Sequence, residues 1–161
     1  MRVTDRNELK IFESIIDEYS NCFYETDIER LKNLYVSDGD IIYFDNHADC
    51  DSIDFEDHIR KVGNFLIAGN IEKLTSEDFV VFRHGQGACI LIKYRYPSHP
   101  TPCVRTTYYL ELHDDQWKIR HIHCSFDPNE QPNSQNTAIN RYMTLIQWRV
   151  LLAGQPKKFS L

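Results

Sequence analysis

Apolar residues recur at helical spacing over the first third of the chain and alternate over much of the second half. Leu9, Phe12, Ile15, Ile16, Tyr19 and Phe23 fall on one face of a helix that starts near Thr4–Asp5. Asp5 followed by Glu8 fits a capping box, in which carboxylates satisfy free backbone N–H groups. A second helix is expected from "TDIE", with Thr26 as its cap, Glu29 reaching back, and Ile28, Leu31, Leu34 and Tyr35 on its inner stripe; "SDG" stops it. "DIIYFDN" at 40–46 reads as a strand and "HADCDS" at 47–52 as a turn. "DFEDHIRKVGNFL" reads as a third helix with Phe55, Ile59, Val62 and Leu66 on one face.

From Ile71 the period changes to two. "EDFVVFRHG", "ACILIKYRY", "VRTTYYLEL" and "WKIRHIHCSF" are strands rich in β-branched and aromatic residues. "GQG" at 85–87 and "HDDQ" at 113–116 are tight-turn signals, and "PSHPTP" at 97–102 is a longer, stiffer loop. Three helices followed by an antiparallel meander predict an α+β domain with the helices on one face of the sheet. Residues 1–127 form that domain. Residues 128–161 are a polar linker and a C-terminal helix whose face is marked by Ile139, Met143, Ile146 and Val150.

Strict alternation along 117–126 puts Trp117, Ile119, His121, His123 and Ser125 on one face, and Lys118, Arg120, Ile122, Cys124 and Phe126 on the other. Two histidines spaced by two on a strand can share a zinc ion, but a site needs further ligands, and the sequence supplies no obvious third or fourth. The other readings are hydrogen-bonded histidines on a packed sheet face, or direct participation in catalysis.

Composition narrows the class. Hydrophobic residues at 42% and charged residues at 26% of 161 residues fit one soluble globular domain able to enclose a pocket. A net charge of −6 argues against a bulk electrostatic grip on nucleic acid or an anionic membrane. The N-terminal residues lack the apolar stretch of a secretory signal, and no run approaches the ~20 apolar residues of a transmembrane helix. Five cysteines without a CxxC pair then indicate reduced thiols and a cytoplasmic protein. No GxGxxG, P-loop or HExxH is present, so no cofactor or metal is expected.

"RTTYYLELHDDQWKIRHIHCS" resembles the end of the SnoaL-like branch of the nuclear transport factor 2 superfamily. That branch has an Arg-x-Thr strand, a turn, and a Trp-(Lys/Arg)-Ile-x-His-x-His-x-Ser strand. Arg105, Thr107, Trp117, Ile119, His121, His123 and Ser125 match it. Together with "GACILIKY", the stretch is similar to the association domain of calcium/calmodulin-dependent kinase II. The resemblance implies a cone: a curved antiparallel sheet wrapped around three helices, with a cavity inside. Such folds carry isomerases, dehydratases, cyclases, ligand binders and assembly modules, so the cavity residues decide the function.

Set beside the ketosteroid isomerases of this superfamily, Tyr19 falls where they have an oxyanion-holding tyrosine. Tyr43 and Tyr108 fall where they have carboxylates, and Asp45 stands two residues beyond Tyr43 as a substitute base. Set beside the association domains, Tyr94, Tyr108 and Cys124 replace cavity arginines, while Arg95 and Arg120 are adjacent. The implied ligand-binding set is Tyr19, Tyr43, Asp45, Tyr94, Tyr108 and Cys124, with Asp45 and Tyr19 as catalytic candidates. It suits a small apolar or aromatic, oxygenated ligand. The function expected is a small-molecule-binding cavity protein, with a cofactor-free isomerase, cyclase or dehydratase as its catalytic form. The alternative is a non-catalytic homodimerisation or protein-interaction module using Arg105, Thr107, Tyr109, His121 and His123 on the outer sheet face.

Overall fold

The computed structural model describes residues 1–46, 50–69 and 71–131. The expected C-terminal helix and most of its linker lie outside them, as does part of the turn at 47–52. The elements are α1 (Arg6–Tyr24), α2 (Ile28–Lys32), β1 (Ile42–Phe44), α3 (Phe55–Ala68), β2 (Thr75–His84), β3 (Gly87–Tyr96), β4 (His99–His113) and β5 (Gln116–Phe126). They form an α+β domain in which the helices cover one face of a curved five-stranded sheet of order β1-β5-β4-β3-β2. Strands β2 to β5 make an antiparallel meander, and β1 joins β5 in parallel.

Asp5 caps α1 by accepting from the backbone N–H of Asn7 and Glu8 at 3.0 and 2.9 Å. The reciprocal half of the expected capping box is not made, because the Glu8 carboxylate pairs with Arg83 at 2.7 Å. The cap of α2 is Asp27, not Thr26: its carboxylate accepts from Arg30 N–H at 2.9 Å. Thr26 has φ of 54° and turns the chain instead. Helix α2 ends at Lys32. Leu34 and Val36 then exchange backbone hydrogen bonds with Ile119 at 2.7 and 3.1 Å, which lays this segment along β5.

Inward-facing residues close the core. Phe12 and Ile16 of α1, Leu31 of α2, and Val62 and Leu66 of α3 meet Val81, Ile90, Ile92, Leu110, Ile119 and Ile122 of the sheet. Each fully buried aliphatic or aromatic side chain contributes roughly 1.5–3 kcal/mol. The free edge of β2 is covered by the N-terminus, where Val3 N–H donates to Val81 O and Arg83 N–H to Met1 O, both at 2.9 Å.

Strict alternation fails in β5. Tyr109 pairs with His121, but Leu110 pairs with Ile119, so Arg120 is an extra residue on β5. This bulge moves Trp117 and Ile119 to the inner face. Ile119 is buried, and the Trp117 ring lies 5.1 Å from that of Phe12 on α1. His121 and His123 stay on the outer face, so they do not share a side with Trp117 and Ile119 as alternation requires. The bulged Arg120 bonds Asp38 at 2.6 Å and Glu111 at 2.9 Å, which anchors the loop before β1 to the sheet. A second bulge lies between Glu77 and Val80 of β2, where Asp78 has φ of 55°.

Candidate functional site

Between the helices and the inner sheet face lies a cavity of about 230 Å³. Tyr19, Tyr43, Asp45, Tyr94, Tyr108 and Cys124, spread over 106 positions of sequence from Tyr19 to Cys124, all line it. Each arrives by a simple local rule. Tyr19 lies one turn beyond Ile15 and Ile16 on α1, facing the sheet. Tyr94 and Tyr108 are inner-face positions of β3 and β4, in register with the buried Ile90, Ile92 and Leu110. Cys124 lies two residues past the buried Ile122. Tyr43 is held on β1 by reciprocal backbone hydrogen bonds with Ser52, both 2.8 Å.

The side chains are knit together by hydroxyl contacts. Tyr43 donates its hydroxyl to Asp45 Oδ2 at 2.5 Å. The hydroxyls of Tyr94 and Tyr108 share a hydrogen bond of 3.2 Å, and the Tyr19 ring meets the Tyr108 ring edge-on at 5.5 Å. Thr106 Oγ1 lies 3.5 Å from Cys124 Sγ. Burial raises the hydroxyl pKa of Tyr19, Tyr43 and Tyr108 well above the usual value, and the neighbouring tyrosines and Cys124 add to it. Burial also pushes the Cys124 thiol up to about 11. At neutral pH these groups are protonated, so Cys124 is no thiolate nucleophile.

Of the wall members that sequence patterning missed, two carry uncharged nitrogens. His58 of α3 is 1% exposed and lines the cavity; its Nε2 lies 2.7 Å from the Tyr35 hydroxyl, and its ring packs at a tilt against Tyr43, with centroids 4.7 Å apart. Burial lowers its pKa to about 4, so the ring is uncharged at neutral pH. The signal was available: His58 continues the stripe Phe55, Val62 and Leu66 at helical spacing. The second is Asn46, whose Nδ2 is enclosed at the cavity and has no hydrogen-bond partner among the described residues. The cation among the lining residues is Lys61, which pairs with Asp57 at 2.7 Å.

The neighbouring arginines do not enter. Arg95 bonds Glu77 at 2.7 Å and Glu130 at 2.9 Å, and Arg120 is held by Asp38 and Glu111. Glu130 also accepts from Cys103 N–H at 2.8 Å, which pins the segment after β5 across β4. Cys103, Asp127 and Glu130 are close enough to hold a cation, but the guanidinium of Arg95 already supplies the positive charge there.

On the outer face, Arg105, Thr107 and Tyr109 of β4 pair with Ser125, His123 and His121 of β5. His121 Nδ1 lies 2.8 Å from the Ile42 carbonyl, which accepts its proton. Phe44 sits edge-on to both histidines at 5.6 and 6.0 Å. The two rings therefore stand in an aromatic, hydrogen-bonded setting at the β1 edge. Ile42, Phe44, Phe82, Leu91 and Tyr109 are all exposed on the sheet. No helix among the described residues is long and apolar enough to cross a membrane.

Comparison with known proteins agrees with this architecture. No curated protein is significantly similar to the chain. A proposed dehydratase of the NTF2-like family from Streptomyces avermitilis superposes with a TM-score of 0.67 at 13% identity, covering 77% of this chain and 99% of its own. A proposed calcium/calmodulin-dependent protein kinase type II association domain from Thiobacillus denitrificans superposes at 0.63 with 12% identity, over 71% of this chain and 94% of its own. A cystatin-like fold protein from Burkholderia xenovorans gives 0.58 at 16% identity, over 76% and 93%. At these identities the likeness is one of fold. The SnoaL-like domain profile matches residues 12–128, from the buried Phe12 of α1 to just past the end of β5, and the chain belongs to the SnoaL-like family.

Proposed function

We propose that this protein binds a small, flat, apolar or aromatic ligand bearing oxygen in its tyrosine-lined cavity. In the catalytic form of this reading it is a cofactor-free isomerase, cyclase or dehydratase. Asp45 moves the proton, and Tyr19 and Tyr108 contact the oxygen that gains charge. The observation that supports it is the composition of one enclosure: aromatic faces, protonated hydroxyls, the acidic side chains of Asp45 and Glu72 and one uncharged imidazole in a mostly apolar cavity. Such a lining favours a neutral ligand over a carboxylate or phosphate, because the arginines are engaged elsewhere.

Native mass spectrometry of the purified protein, followed by a screen of aromatic fragments, tests the binding reading. The expected result is a retained adduct, or fragments whose binding is lost when Thr106→Trp fills the cavity. Fragments that bind equally well to the filled variant count against it. Once a turned-over compound is found, Asp45→Asn is expected to abolish turnover while preserving binding.

The exposed apolar band of Ile42, Phe44, Leu91 and Tyr109 favours a second reading, which need not exclude the first. In it the outer sheet face, with Arg105, Thr107, His121 and His123, is the seam of a homodimer. Sedimentation velocity of the wild type and of Tyr109→Glu tests this, and a wild-type monomer at micromolar concentration would sink it.

A further inference from the structure

His121 and His123 stand on the outer sheet face in an arrangement that metal ligands use. Their ring centroids are 6.5 Å apart, with the planes at 45°. The Ile42 carbonyl, 2.8 Å from His121 Nδ1, can only accept, so Nδ1 carries the proton. In the neutral ring Nε2 then holds a lone pair, and it has no hydrogen-bond partner among the described residues. A backbone carbonyl that fixes the second ring nitrogen is the common support of a metal-bound histidine. His123 is exposed, and its ring touches Phe44 and His121 without a hydrogen bond among the described residues. Two imidazoles bound through nitrogen to one tetrahedral ion have centroids roughly 5 Å apart. Rotation of the exposed His123 side chain closes that gap, while Ile42 keeps His121 in place.

One chain stops at two imidazoles, and a tetrahedral zinc site takes three or four protein ligands. The three-residue donor cluster among the described residues is Cys103, Asp127 and Glu130, and it includes neither histidine. Symmetry supplies what one chain lacks. The two histidines lie inside the exposed apolar band: Tyr109 pairs with His121 on one side, and Ile42 and Phe44 pair with His121 and His123 on the other. In an isologous seam the same patch meets itself across a twofold axis, so a pair of ligands beside the axis becomes four.

We infer that His121 and His123 of two copies together hold one zinc ion in the outer-face seam. This rests on the homodimer reading and deepens it. The sequence of one chain offers no third ligand because the third and fourth are the same two residues of a second copy. Four neutral imidazoles are a donor set for zinc, and not for calcium or magnesium, which take oxygen ligands. The Arg105 guanidinium on the same face is engaged with Ser125 at 3.4 Å. With all four positions filled by protein the ion is a clamp, not a catalyst. Metal and association are then coupled: zinc tightens the dimer, and the dimer tightens zinc by the same factor.

The test titrates zinc chloride into chelator-treated full-length protein, read by calorimetry and by sedimentation velocity. The expected result is one zinc per two chains and a dimer dissociation constant lowered about tenfold or more by the metal. Cobalt(II) in place of zinc should show the intense visible absorption of a tetrahedral ion, without the near-ultraviolet charge-transfer band of a thiolate ligand. His123→Ala should lose both the titration and the zinc-dependent shift in sedimentation. Tyr109→Glu, which opens the seam, should weaken zinc binding about tenfold or more through the same coupling. One zinc per chain, a titration retained in His123→Ala, or an octahedral cobalt spectrum overturns the inference. A wild-type dimer that takes up no zinc also overturns it and leaves the seam reading standing. A wild type that stays monomeric with and without zinc removes the seam reading and this inference together. The wild-type stoichiometry and cobalt spectrum decide the matter even where a variant folds poorly.

Discussion

His58 is the residue whose burial has the clearest thermodynamic consequence. In the folded protein its pKa is lowered to about 4 from 6.5, chiefly by burial; Asp45 and Asp57 pull it upward and Lys61 downward. Tyr35 and Tyr43 face the ring from the other side without charge. Between those two pH values the unfolded chain holds a proton that the folded chain does not, so stability falls as pH drops from 6.5 to 4. Urea midpoints are expected to decline across that window by an amount equivalent to at most about 3 kcal/mol, and His58→Gln should flatten the decline. Carboxylates act in a lower window. Arg120 holds Asp38, and Arg95 with Cys103 N–H holds Glu130, each at a pKa of about 2 instead of 3.8 and 4.5. Their contribution is present above the unfolded values and is lost as pH falls toward 2. Asp38→Asn and Glu130→Gln should therefore make the acid limb of the stability curve shallower, as read by denaturant melts between pH 5 and 2.

At the scale of elements, the bulge at Arg120 matters most. Alternation assigns Ile119 and His121 the same face, whereas the extra residue puts Ile119 in the core and leaves His121 outside. Ile119→Ala is expected to cost about 2–5 kcal/mol in denaturant unfolding, the range for a buried isoleucine truncated in a packed core. His121→Ala should cost under about 1 kcal/mol, since it loses one partly exposed hydrogen bond to Ile42 O. Equal costs for the two would argue for an unbulged strand. Nothing local marked Arg120 as the extra residue. Its bond set to Asp38, Asp40 and Glu111 exists only once the loop before β1 has folded against β5. The helix starts were more legible, because a cap is a contact within three residues. Even so, Thr26 and Asp27 competed for one position, and Asp27 took it because Thr26 was needed at positive φ in the turn.

For the molecule as a whole, the outer sheet face carries the prediction. If the band of Ile42, Phe44, Leu91 and Tyr109 is a seam, Tyr109→Glu should shift a concentration-dependent sedimentation coefficient to that of the monomer. Far-ultraviolet circular dichroism should stay unchanged, because Tyr109 makes no core contact from its exposed position. A mutant sedimenting as the wild type, with the wild type associated, would move the seam elsewhere. The cavity and this face lie on opposite sides of one sheet. Their residues alternate along β4, with Tyr108 and Thr106 inside and Tyr109, Thr107 and Arg105 outside.

Much of this was contained in local pattern. Helical and alternating periods, together with the strand pair at 104–125, determine the α+β class, the element order and the family, because period and turn chemistry act over a few residues. The resemblance placed Tyr94, Tyr108 and Cys124 in the cavity, and the register of β3, β4 and β5 puts them on the inner face. Only the tertiary structure decided which side of β5 carries Trp117 and Ile119, since a bulge is stabilised by partners some 80 residues away. It alone showed that His58 and Asn46 complete the cavity wall beside Asp45. A histidine in a helix and an asparagine in a turn look like surface residues in sequence. What makes them line the site is the enclosure that distant segments build around them.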